Sequence, residues 1–255
     1  GEALALSAVA SFVGATLATI GLTFLAPLLV QVALLFGPAE YFLLFVLAFS
    51  LIGTLTGHNM AKTFIASALG LMLATIGLDS STNVPRFTFG QMKLYEGLDP
   101  IVAIVGLFAI SEVLVFLETS AKGEQVKYAV GRITVRMKDI LFCKGAMLRG
   151  SLLGFIAGVL PGAGASLGSF AAYTLEKRYS DRDGTFGKGD PRGLAAPEAG
   201  NNAAAGGALV PMLALGVPGS GTTAVRLAVL MSLTITPGPL LFEQRPEVAW
   251  GLIAS

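Results

Sequence analysis

The chain has 255 residues, 54% hydrophobic and 13% charged, about half the charge of an ordinary soluble domain. Its 17 Lys and Arg nearly cancel 16 Asp and Glu, for a net charge of +1, which excludes the basic excess of a nucleic-acid binder. One cysteine (Cys143) and one histidine (His58) exclude a disulfide framework and a Cys- or His-rich metal cage, and a mean hydropathy of +0.74 excludes disorder.

What remains is an all-α polytopic membrane protein. A transmembrane helix needs about 20 largely apolar residues, and no charge separates Glu2 from Glu40. That stretch reads as one long tilted helix kinked at Pro27, or as a span plus an interfacial turn. Further spans are expected at Tyr41–Leu55, Thr63–Leu78 and Ile101–Leu117, so that residues 1–117 hold about four. No cleavable signal peptide is read, since Glu2 precedes the first apolar run without a basic region. The opening Gly1-Glu2 and the apolar ending at Ser255 lead us to expect a fragment of a longer chain.

Twelve of the seventeen basic residues lie between Lys122 and Arg192. They form two clusters, Lys122–Arg149 and Lys177–Arg192, that the positive-inside rule places in the cytoplasm. Residues 118–149 therefore read as a cytoplasmic connector, its Gln125–Lys138 part an interfacial helix or strand, and residues 177–195 as a cytoplasmic loop. The segment 150–176 between them, charge-free from Gly150 to Leu175, has to enter the membrane and return. Its middle, Pro161-Gly162-Ala163-Gly164-Ala165-Ser166, breaks a helix, which predicts a re-entrant helical hairpin; the alternative is one long kinked span. Counting back, the loop Asp79–Pro100 is external and the turn with His58 and Lys62 internal.

Half of the 32 glycines lie within Gly150–Gly221. The spacing Gly154, Gly158, Gly162 reads as close helix packing. The clusters Pro161–Ser166 and Gly216–Thr223 differ, because each combines a helix break with small hydroxyl residues. Broken backbone at membrane depth is tolerated only where it lines a cavity or is buried in protein, and paired breaks point to a transporter's binding site. Residues 196–255 accordingly read as an interrupted helix with following spans. Asn201 and Asn202 either face a cavity or cap the following helix. Glu198 is an ion ligand or, preferably, an anion in the first helical turn. Glu112 reads as a structural polar contact within its span, and Arg226 as an attractor of anions or a snorkelling side chain.

The stretches GFIAGVLPGAGASLGSF, LAAPEAGNNAAAGGALVPMLALGVPGSGTTAV and TPGPLLFEQRPEVAWGLIAS resemble the large membrane subunit of tripartite tricarboxylate transporters (the TctA family), and FGPAEYFLL and IGLDSSTNVPRFTFG extend the likeness over essentially the whole chain. The resemblance implies a bacterial inner-membrane, multi-pass secondary transporter, not an enzyme. It implies partnership with a small membrane subunit and a periplasmic solute-binding protein, and uptake of citrate-like carboxylates coupled to Na⁺ or H⁺ without another cofactor. It also implies one part of an inverted-repeat architecture, whose earlier repeat, with its own hairpin and interrupted helix, is not found before Gly150.

On this reading the carboxylate is held by Pro161, Gly162, Ala163, Gly164, Ser166, Asn201, Asn202, Gly219, Ser220, Thr222 and Thr223, with Na⁺ on oxygens of Gly162, Asn202 and Gly219. Rival readings are a channel or an assembly subunit, separable by saturable, binding-protein-dependent uptake. An intramembrane enzyme would need a nucleophile–base pair or carboxylate dyad that the spans do not supply.

Overall fold

The computed structural model describes residues 1–55, 60–79, 82–121, 133–161 and 164–254. These are mostly helical and divide into two compact units, 1–55 with 130–255, and 56–129. His58, Lys122, Lys127, Arg132, Gly162 and Ala163 lie outside the described residues.

In the first unit, α1 (Glu2–Ala33) is a single helix of 32 residues with Pro27 inside it, about 48 Å long at 1.5 Å per residue. It is followed by α2 (Pro38–Leu55). The second unit holds α3 (Met60–Ala74) and α4 (Pro100–Ala121). Between them lies a two-stranded antiparallel ribbon, β1 (Gly77–Leu78) with β2 (Pro85–Arg86), where Asp79 pairs with Arg86. Glu112 on α4 is exposed, so the polar contact expected of it is not seen among the described residues.

The remainder of the first unit carries the segments singled out by their glycines. It comprises α5 (Met137–Val159), α6 (Gly164–Ser180), α7 (Arg192–Gly207), α8 (Leu209–Leu215), α9 (Gly221–Ser232), α10 (Leu241–Gln244) and α11 (Pro246–Ala254). α5 begins within the basic connector, so the latter part of that segment is helical.

α7 is the axis of this unit. Its sequence, RGLAAPEAGNNAAAGG, has almost no bulk, and neighbouring helices approach it backbone to backbone. A Cβ built on Gly150, Gly154 or Gly158 of α5 would lie 2.3, 2.1 or 2.2 Å from the carbonyl oxygen of Ala196, Gly200 or Ala204. The constant register makes α5 and α7 parallel. α1 runs the same way, with Gly14 against the Ala199 carbonyl and Ala18 against Gly206. α6 runs opposite, setting Gly168 against Ala204 and Ala172 against Gly200. The chain therefore reverses between α5 and α6 and returns to the end it left, which excludes one long kinked span.

Burial is inverted relative to a soluble domain. The inward faces of α1 and α5 are largely Ala, Gly and Ser, while Phe12 and Phe24 of α1 are 72% and 71% exposed. Leu148, Leu152 and Ile156 of α5 also point outward. Small residues inside and large apolar ones outside suit acyl chains, where helix association rests on packing and not on water exclusion. Among the described residues, α1 and α5 are both long and apolar enough to cross a bilayer.

The Gly154 contact is with backbone, which has no rotamer to yield. Gly154→Ala is expected to destabilise the protein by about 1–3 kcal/mol, read as a lowered Tm in detergent. Gly70→Ala on α3, where an added Cβ meets nothing within 4 Å, is expected to leave Tm unchanged.

Candidate functional site

Three chain junctions meet at one end of α7. The first is the tip between α5 and α6: α5 ends at Val159, Pro161 is buried, and α6 starts at Gly164 with φ +67°. The second is the junction of α7 and α8 at Ala208, which lies in helical conformation. The third is the break between α8 and α9. Gly216 ends α8 at φ +70°, its N–H bonded to the Met212 carbonyl and that of Val217 to the Pro211 carbonyl, a left-handed helix end that favours glycine.

The chain then doubles back beside α8. A Cβ on Gly219 would lie 2.8 Å from the Ala208 carbonyl oxygen, and one on Gly164 would lie 4.0 Å from the Ser220 Cβ. The break is thus a reversal, and it sets the N-terminus of α9 beside the N-terminus of α6. Each first turn carries N–H groups with no carbonyl partner in their own helix, and each ends a helix dipole at its positive pole.

The hydroxyls at this junction divide in use. Ser220 and Thr223 form a reciprocal capping box: the Ser220 N–H donates to Thr223 Oγ1 at 2.8 Å and the Thr223 N–H to Ser220 Oγ at 3.3 Å. Thr223 is buried. Thr222 is exposed with its hydroxyl 2.9 Å from Ser220 Oγ, and Ser166 is exposed on the first turn of α6. The Ser-x-x-Thr spacing carries the capping signal, so residues expected only as ligands also cap the helix.

Asn201 and Asn202 are placed elsewhere. α7 starts at Arg192, so neither asparagine caps it and Glu198 lies beyond the first turn. The cap expectation took a helix to begin after the asparagines, and the Glu198 expectation took Glu198 to lie in a first turn. Pro197 lies inside α7. The Arg192 N–H is met at 2.9 Å by the Asp190 carboxylate. Asn202 Nδ2 donates to Ser11 Oγ of α1 at 2.8 Å and to the Glu198 carbonyl at 3.1 Å, and the Ser11 hydroxyl donates to Glu198 Oε2 at 3.4 Å. Asn201 is exposed. Along the helix axis Asn202 is about 9 Å from Ala208, so the asparagines and the junction form two separate polar groups. Ser11 was not singled out in the sequence.

Charged pins close the opposite end. Arg149 of α5 donates to both Glu176 oxygens, at 2.8 and 2.7 Å, and lies over the Tyr179 ring at 4.4 Å. Arg192 pairs with Asp190 at 2.7 Å and lies over the Phe142 ring at 4.8 Å. A cavity of about 460 Å³ opens at this end, between Leu6 of α1, Val135, Arg136 and Leu194 of α7. It is remote from the junction of helix N-termini.

The Arg192 guanidinium, with help from Thr185 and against the cost of burial, lowers the Asp190 carboxyl to about 2. A depressed carboxyl contributes stability above its unfolded value near 4 that disappears as pH falls through 2. Asp190→Asn is therefore expected to lower stability by about 2 kcal/mol at pH 7. In paired thermal melts the difference from wild type should shrink between pH 4 and 2.

The family model of the tripartite tricarboxylate transporter TctA family matches residues 1–255. The chain is 39% identical over 255 residues to the uncharacterized 52.8 kDa protein in TAR-I ttuC′ 3′region of Agrobacterium vitis, covering all of this chain and 51% of that protein. It is 43% identical over 102 residues to the uncharacterized protein in TAR-II ttuC′ 3′region of the same organism, covering 40% of this chain and 42% of that one. No solved structure matches the chain. The chain spans about half the length, or less, of these relatives. With its small-residue helix contacts and outward-facing apolar residues, the chain is a membrane protein belonging to the tripartite tricarboxylate transporter TctA family.

Proposed function

We propose that the chain forms part of a secondary active transporter that imports di- or tricarboxylates of the citrate type across the bacterial inner membrane. A periplasmic solute-binding protein delivers the anion, a small membrane subunit completes the assembly, and Na⁺ or H⁺ drives uptake. The observation that carries this reading is the meeting of the α6 and α9 N-termini at Gly164 and Ser220. Two positive dipole ends with free N–H groups are suited to a carboxylate. Ser166 and Thr222 offer exposed hydroxyls beside them.

The depth of the junction supports a re-entrant hairpin. The charge-free part of α5, from Gly150 to Val159, has ten residues, about 15 Å or half the hydrocarbon core. Arg149 and Glu176, ion-paired at the base of the hairpin, then sit at the cytoplasmic boundary with the tip near the midplane. An anion held there faces a membrane potential that opposes its entry by about 2.3 kcal/mol per charge per 100 mV. For a tricarboxylate this rises about threefold, which cotransported cations offset.

The test uses the complete transporter in proteoliposomes with citrate as the probe. Saturable uptake is expected, dependent on the binding protein and on a Na⁺ or pH gradient. Replacing Ser166 and Thr222 together by alanine is expected to weaken citrate uptake about tenfold or more. Thr16→Ala, on the exposed side of α1 where the hydroxyl bonds its own helix, should leave uptake unchanged. Normal uptake by the Ser166/Thr222 double variant would remove the junction as the anion site, and uptake indifferent to both Na⁺ and pH would remove the coupling.

A further inference from the structure

The Ser11–Glu198–Asn202 group is not used by the anion site. Glu198 is a half-buried carboxylate between helices that supply no opposing charge at its level. α1 carries no charged residue after Glu2, α5 none from Gly150 onward, α6 none before Glu176, and α8 none. The nearest charges on elements packed against α7 are already engaged: Arg149 with Glu176, and Arg192 of α7 itself with Asp190. Two lysines of α5, Lys138 and Lys144, lie further toward its start.

The oxygens are only partly used. Ser11 donates to one Glu198 oxygen and Asn202 donates to Ser11. The other Glu198 oxygen and the Asn202 carbonyl oxygen accept nothing from the described residues. A carboxylate without a cationic partner in a membrane helix is costly, and hard oxygen ligands suit a small hard cation or a proton. The position is reachable as well. Leu194, one turn before Glu198 on α7, lines the cavity at the charged end of the bundle, about 6 Å away along the helix.

We propose that Glu198, set by Ser11 and Asn202, binds the monovalent cation that accompanies the carboxylate, either as a proton on the carboxylate or as Na⁺ among the oxygens. This rests on the transporter reading for calling the cation a driving ion. It moves the cation from the hairpin tip to the contact between α1 and α7. The cation site then lies between the anion junction and the cytoplasmic end, so an ion released there leaves through the cavity lined by Leu194 and Arg136.

Cation binding can be read without carboxylate uptake, in the purified complete transporter. Radioactive sodium binding and the infrared carboxyl band during a pH titration are compared in wild type, Glu198→Gln and Ser11→Ala. If the ion is Na⁺, wild type binds it and Glu198→Gln weakens binding about tenfold or more. If the ion is a proton, wild type shows a titrating carboxyl band that Glu198→Gln abolishes. Ser11→Ala should weaken Na⁺ affinity about threefold, or displace the titration of the band, through loss of its hydrogen bond. Sodium binding and band unchanged in Glu198→Gln overturn the inference while leaving the citrate experiment standing; lost citrate uptake with intact cation binding does the reverse. Should Glu198→Gln fail to assemble, Ser11→Ala decides alone, and unchanged behaviour in it overturns the site.

Discussion

Backbone contact along α7 is the constraint on which the rest of this unit depends. At Ala196, Gly200 and Ala204 the carbonyl oxygens meet glycines of α5 so closely that no side chain fits between. In lipid there is little hydrophobic gain from joining two apolar helices, so dispersion contact and exclusion of tails have to hold them. Glycine and alanine permit the shortest interaxial distance and the most contact per turn. Once α5 is fixed in this register, the reversal into α6 is fixed too, because Gly168 and Ala172 fill the adjacent side of the same helix. The tip then has to lie level with the end of α7.

That level is where the break between α8 and α9 returns. Leu209, Val210, Met212 and Leu213 of α8 pack with Leu22 and Ala26 of α1 and with Leu230, Ala249 and Ile253, anchoring α8 in an apolar core. Gly216 reverses the chain at a positive φ against the Pro237 carbonyl. Gly219 passes over Ala208 with no side chain to hold it off. The two helix N-termini are thus brought together by packing on either side of them, which is the rigid support that an anion site built from backbone requires.

The legible part of the sequence was the part governed by local rules. Apolar runs without charge gave the helices, Pro-Gly clusters gave the breaks at Pro161 and Gly216, and the spacing of Gly154 and Gly158 gave a packing stripe that the structure extends back to Gly150. The start of α7 was misplaced because asparagine is a favoured N-cap, so Asn201 and Asn202 suggested a helix beginning after them. α7 instead starts at Arg192, whose N–H donates to the Asp190 carboxylate, and Pro197 lies inside it. The partner of Asn202 was illegible for a different reason. Ser11 is 191 residues away, and nothing local marks one serine of a long apolar helix as the residue that meets an amide. The doubling back of Gly216–Ser220 was likewise a tertiary outcome, since the same residues would serve a straight interrupted helix.

Separating the two polar groups changes what α7 has to do. If the asparagines and the hairpin tip held one anion, α7 would be one wall of a single site. With Asn202 and Glu198 about 9 to 15 Å from the junction along the axis, α7 instead connects two polar groups through a helix whose neighbours clasp it at nearly every turn. Because Ala196, Gly200 and Ala204 touch α5 through their backbone, α7 has little freedom to slide against the hairpin. α1 meets α7 just as closely, with Gly14 at the Ala199 carbonyl, and adds a polar link that α5 lacks among the described residues, through Ser11 to Glu198 and Asn202.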